Sequence, residues 1–182
     1  MNMNVNTKTR DLALIPVFSV LTAVCTWIMI PGPVPFTMQT FAVFLSLLLL
    51  GGKRGTAAVL VYLLLGFAGL PVFSGFSAGP GVLLGPTGGY LIGFIAIGLL
   101  FAVCVRIFGG SDRVKAASLI AGLLVCYLFG TLWFTLGYNS GSGSVTFTAA
   151  LGLCVLPFVV PDLLKLGLAF WVAKQIRKRR GQ

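Results

Sequence analysis

Acidic residues are almost missing from this chain. Of 182 residues only Asp11, Asp112 and Asp162 are acidic, against 13 lysines and arginines, and there is no histidine. Without histidine, imidazole metal sites and histidine-based acid–base chemistry are excluded. Three scattered carboxylates give no pair for general acid–base work, and no Ser/His arrangement exists for nucleophilic catalysis. No G-x-x-x-x-G-K-[ST] phosphate loop is present, and "GGKRGT" at 51–56 has the wrong spacing, so ATP hydrolysis is not expected of this chain. Cys25, Cys104, Cys126 and Cys154 form no CxxC pair and lie in apolar stretches, where they read as small apolar fillers. Neither a metal nor a cofactor is expected.

Charge of either sign is scarce too. Charged residues make up 9% and hydrophobic ones 58%, where a soluble domain carries about a quarter charged. Runs such as "FAVFLSLLLL" do not alternate as the strands of a membrane β-barrel would. The expected class is all-α, a single integral membrane domain over 1–182. Six spans are read: 12–30, 36–50, 56–70, 89–108, 116–138 and 161–177, the last preceded by a short helix from Thr148. A polar segment, 1–11, comes first, and the apolar run after it is read as a retained span and not a signal peptide, because no cleavage site closes it. A basic tail, 178–182, comes last. Spans two and three reach roughly 22 Å at about 1.5 Å per residue, short of a ~30 Å hydrocarbon core. Such lengths suggest backbone that dips into the membrane to line a cavity.

The net charge of +10 is topological. Twelve of the 13 basic residues fall in four alternate flanks: Lys8 and Arg10; Lys53 and Arg54; Arg106, Arg113 and Lys115; and Lys174 through Arg180. The intervening loops, 31–35, 71–88 and 139–147, contain none. The positive-inside rule then puts both termini in the cytoplasm. The "RKRR" tail is read as part of that pattern and not as a nucleic-acid site.

The thirteenth basic residue, Lys165, breaks the pattern. It sits about 13 Å of helix from Lys174, three residues after Asp162 and on the same helical face. Pro161 and Asp162 suit a first helical turn, so a capping role for Asp162 is the bland alternative. An ionisable group at membrane depth costs at least about 2.5 kcal/mol, however, and marks a polar site by default. The loop "PVFSGFSAGPGVLLGPTGGYL", 71–91, is dense in glycine and proline and shows no periodicity, yet it is too apolar for a solvated linker. It reads as a folded lid. Phe73, Gly81, Leu84 and Tyr90 are its candidate ligand contacts. Gln39 and Thr40 serve either a ligand or another helix. Trp133 and Tyr138 fit an interfacial aromatic belt, and "NSGSGS", 139–144, a plain flexible connector.

Four motifs, "PVPFTMQTFAVFLSLLLLGGKRG", "YLLLGFAGLPVFSG", "LLGPTGGYLIGF" and "PDLLKLGLA", together resemble the BioY family, from about residue 12 to 176. That family comprises the biotin-specific substrate-binding subunits (S components) of energy-coupling factor transporters. The resemblance implies six helices and outward-facing biotin binding in a bacterial plasma membrane. It also implies a transmembrane coupling subunit and two ATPase subunits as partners. The family's D-x-x-K residues fall on Asp162 and Lys165. Its A-x-x-x-A docking motif on the first helix has Ser19-x-x-x-Ala23 as the nearest match. Biotin offers ureido N–H donors, a ureido oxygen, an apolar thioether ring and a carboxylate. Asp162 complements the ureido N–H groups, and Lys165 either the ureido oxygen or the carboxylate. A stand-alone transporter of biotin or another small vitamin, working without ATPases, is the alternative. A channel is disfavoured, because no polar residues continue below Lys165.

Overall fold

The computed structural model describes residues 3–32, 34–139 and 145–179, with side chains from Ala13 to Gly137 and from Val145 onward. Eight helices run in order: α1 Met3–Trp27, α2 Gln39–Leu50, α3 Gly52–Phe67, α4 Pro80–Leu84, α5 Gly88–Phe108, α6 Asp112–Asn139, α7 Phe147–Cys154 and α8 Leu156–Arg179. Two short strands, β1 Met29–Ile30 and β2 Phe36–Thr37, pair antiparallel between α1 and α2. This hairpin encloses the expected 31–35 loop. Among the described residues three helices, α5, α6 and α8, are long and apolar enough to cross a membrane, while Ala13–Trp27 and Gln39–Leu50 are shorter apolar helices.

Several expectations change. The segment expected to precede the first span is already helical from Met3, so it forms the opening turns of α1. The 71–88 loop is not free of helix. Ser74–Phe76 makes a 3-10 turn, and Gly79, with φ of 90°, turns the chain so that Pro80 begins α4. Proline suits that position because its missing N–H would have no partner there. The last helix begins five residues before Pro161, at Leu156, and runs through it. Asp162 is therefore held in the second turn of α8, and capping does not explain it. The short helix expected before it is α7, whose Thr146 cap accepts from Ala149 N at 3.4 Å. The 139–144 connector, apart from the backbone of Asn139, lies outside the described residues, as do the Tyr138 side chain and Arg180.

Small residues set the helix spacing. α5 and α6 make the largest helix pair: Gly89 and Gly93 of α5 lie on Trp133 and Cys126 of α6, and Gly130 of α6 lies under the Tyr90 ring. A Cβ at Gly130 would meet that ring at 2.2 Å. Small side chains at a four-residue repeat allow such close approach where no water drives association. On α1 the buried face is Ser19, Thr22, Ala23 and Thr26. It packs on α3, where Ser19 Oγ donates to Ala58 O at 2.7 Å.

The two ends of the bundle differ. One gathers the β-hairpin, the 71–87 segment and α7. The other gathers the junctions α2–α3 and α5–α6 and the C-terminal turns of α8, and with them Lys53, Arg54, Arg106, Arg113, Lys115, Lys174, Arg177, Lys178 and Arg179.

Candidate functional site

At the hairpin end, a cavity of about 90 Å3 lies between α2, α5, α6 and α8, bordered by the hairpin and the 71–87 segment. Its charged group is a buried ion pair. Asp162 and Lys165, one turn apart on α8, are 2% and 6% exposed, and Lys165 Nζ donates to Asp162 Oδ1 at 2.8 Å. Two further elements converge on the carboxylate: Thr40 Oγ1 of α2 donates to Oδ1 at 2.8 Å, and Tyr127 OH of α6 donates to Oδ2 at 2.6 Å. Three donors on one buried carboxylate offset the loss of its hydration. Lys165 also lies 4.1 Å from the centre of the Phe36 ring of β2, which itself stacks on Phe158 of α8. The ring face adds cation–π attraction. Asp162 is thus held from three helices, and Lys165 keeps N–H donors beyond the one given to Asp162.

A second polar cluster adjoins it. Gln39, at the start of α2, is 5% exposed, and its Nε2 donates to Tyr62 OH of α3 at 3.0 Å. Tyr62 reaches Thr26 of α1 at 3.3 Å and donates to Val72 O at 3.2 Å. One phenol therefore ties α1, α2 and α3 to the root of the 71–87 segment.

Of the residues picked out as ligand contacts, Asp162, Lys165, Gln39 and Tyr90 come together on the cavity wall, as does Thr40. Phe73, Gly81 and Leu84 do not. Phe73 is turned inward, edge-on to Tyr62 and seated against Gly66, where any side chain would occupy the place of its ring. Gly81 and Leu84 sit on the outer side of α4, Leu84 at 71% exposed, while Val82 of the same helix faces the cavity. Ser19 and Ala23 are buried, and Ser19 Oγ is bonded to Ala58 O of α3. Trp133 does more than mark an interface: its indole N–H donates to Gly85 O at 3.0 Å and holds down the end of the lid segment. Cys126 and Cys154 contribute to the cavity wall as well as to the packing.

Tyr127, Phe36, Thr37, Ser74, Thr87 and Phe158 were not picked out. Tyr127 had a signal in the sequence: "VCYLFGTLWF" places one hydroxyl-bearing ring inside an apolar helix, where it needs a partner.

The sequence matches the BioY family over residues 1–182. The chain belongs to the BioY family. Similar proteins include the "Probable biotin transporter BioY" of Pyrococcus horikoshii, 40% identical over 172 residues, covering 93% of this chain and 98% of that one. The "Biotin transporter BioY" of Thermotoga maritima is 43% identical over 173 residues, covering 93% and 96%. Among solved structures, the "S-component for biotin from an ECF-type ABC transporter" superposes with a TM-score of 0.83 at 24% identity, over 98% of this chain and 94% of that one. The fold is shared with that S-component. This BioY-family chain is a multi-pass membrane protein, with its buried ion pair inside the bundle.

Proposed function

We propose that the cavity around Asp162 and Lys165 binds biotin, and that the chain is the substrate-binding subunit of an energy-coupling factor transporter. The observation that carries this reading is a buried Asp–Lys pair on a cavity wall in a chain whose relatives are named for biotin transport. The ligand chemistry fits. Lys165 donates to the ureido oxygen or to the carboxylate. The lone pair left on Asp162 accepts from a ureido N–H. Phe94, Leu123, Val82 and Leu91 offer an apolar wall to the thioether ring. Each charge neutralises the other while the site is empty.

In this reading six helices cross the membrane. The hairpin end faces outward, and both termini and the basic end face the cytoplasm, a reading supported by the twelve-to-none distribution of basic residues. A transmembrane coupling subunit and two ATPase subunits supply the inward step, since this chain has no phosphate loop. Labelled-biotin binding to the purified chain tests the ligand. Biotin is expected to be retained, with neither thiamine nor riboflavin competing; displacement by either would overturn the assignment. Failure to co-purify with a coupling subunit when the two are co-expressed would favour the stand-alone alternative.

A further inference from the structure

The basic end of the bundle contains another hollow, of about 260 Å3, between the C-terminal end of α2, the first turn of α6 and the last turns of α8. Leu48, Phe170 and Trp171 form its apolar side; Asp112, Lys174 and Arg177 form its polar side. The charges do not balance. Asp112 is taken up by Lys115, whose Nζ lies 3.9 Å away. Arg177 gives one N–H to a neutral acceptor, Leu48 O at the end of α2, leaving further guanidinium donors. Lys174 has no ion-pair partner among the described residues. The chain has almost nothing with which to neutralise them. Only three acidic residues stand against its 13 basic ones, and of these Asp162 is committed at the opposite end. Two cations therefore border a hollow beside Trp171, which is 61% exposed, on a helix long and apolar enough to cross a membrane.

We propose that this hollow binds the phosphate of an anionic phospholipid. The diester oxygens meet Lys174 and Arg177, and the glycerol and first acyl carbons lie along Phe170, Trp171 and Leu48. A soluble phosphate offers the same anion with nothing to cover the apolar wall, which is why a lipid is the better occupant. The exposed indole stands where interfacial tryptophans stand, at headgroup level. The biotin reading is not needed for this proposal. The orientation proposed above only decides that the cytoplasmic leaflet supplies the lipid.

The test is retention of phosphatidylglycerol by the purified full-length chain in mixed phosphatidylglycerol–phosphatidylcholine micelles, read by native mass spectrometry. Lys174→Gln is expected to lower retention about fivefold, the equivalent of ~1 kcal/mol per cation at a lipid surface. Arg177→Gln is expected to do so at least as strongly, but it also uncaps α2, so the Lys174 variant decides. Lys53→Gln, a charge change elsewhere on the same end, should leave retention unchanged. An equal loss with Lys53→Gln would reduce the effect to diffuse attraction and overturn the site. Release of the lipid by millimolar inorganic phosphate would show a free-anion site and overturn the lipid assignment. Biotin affinity of Lys174→Gln, measured in parallel, is expected to match that of the unaltered chain.

Discussion

Both ends of α8 carry lysine and use it in opposite ways. At one end Asp162 and Lys165 are buried, locked at 2.8 Å and fastened to α2 and α6. At the other, Lys174 and Lys178 are exposed, with no ion pair among the described residues. Sequence distance between the two groups is nine residues, Lys165 to Lys174. Depth and surroundings separate them: a buried pair is costly to break, whereas a solvated cation interacts weakly and is screened by salt.

The comparison breaks most sharply at the pair itself. Asp162→Asn or Lys165→Met leaves a buried partner uncompensated, which typically costs about 3 to 5 kcal/mol. Both variants are expected to melt at lower temperature. Both should lose biotin affinity about tenfold or more, given that at least ~1.4 kcal/mol of that cost falls on binding. The double variant should lose less than the sum, since no orphan charge remains. Isothermal titration with thermal unfolding measures both; unaltered affinity in either single variant would mean that the pair serves the helix alone.

Tyr127→Phe sharpens the comparison by removing one donor and leaving the charges in place. A hydrogen bond to a charged group contributes about 1.5 to 3 kcal/mol. A loss smaller than that of Asp162→Asn is expected in both stability and biotin affinity. An effect equal to that of Asp162→Asn would show that the hydroxyl, and not the ion pair, organises the cavity.

Packing variants come next, because they disturb one end and not the other. Gly130→Ala forces the Tyr90 ring from its place on the cavity wall, and overpacking of this kind costs about 1 to 3 kcal/mol. It should lower biotin affinity together with stability. Ala23→Leu also overpacks, at a buried position of α1 away from the cavity wall. It is expected to lower the melting temperature with little change in affinity. A normal melting temperature combined with loss of the coupling subunit would return Ala23 to a docking role.

How much of the fold and the site is legible in the sequence follows from what each residue advertises. Asp162 and Lys165 stand out because charge is so rare in this chain, and a three-residue spacing on a helix by itself puts them on one face. The helix bounds of α5 and α6 are readable from long apolar runs closed by "GG" and charged residues. Phe73 misleads because an aromatic in a glycine-rich loop looks the same whether it faces a ligand or its own core. Only the fold puts Gly66, on α3, beneath its ring. Ser19 and Ala23 are ambiguous for a related reason: small residues one turn apart allow a close helix neighbour without saying whether that neighbour lies in this chain or in a partner. Tyr127, Thr40 and Gln39 lie on helices whose sequence gives rotation but not contact. Which of their hydroxyls and amides meet Asp162, and which Tyr62, is decided by tertiary packing.

The smallest effect is expected at the exposed end, where charge sets orientation rather than stability. Lys178 and Arg179 occupy the last turn of α8, are exposed, and make no ion pair among the described residues. Replacing both by Gln removes two of twelve flanking cations and no packed contact, so stability should change by no more than about 0.5 kcal/mol. Biotin affinity should not change. Orientation should hold as well, because the remaining ten basic residues keep the same bias. Single cysteines report it: at Phe76, exposed in the lid segment, and at Lys53, exposed between α2 and α3. An impermeant maleimide applied to intact cells should label Phe76→Cys and spare Lys53→Cys, in the unaltered background and in the Lys178→Gln, Arg179→Gln background alike. Labelling of Lys53→Cys in the unaltered background would invert the proposed topology. It would also move the Asp162 cavity to the cytoplasmic half, where a subunit that collects its ligand from outside has no use for it.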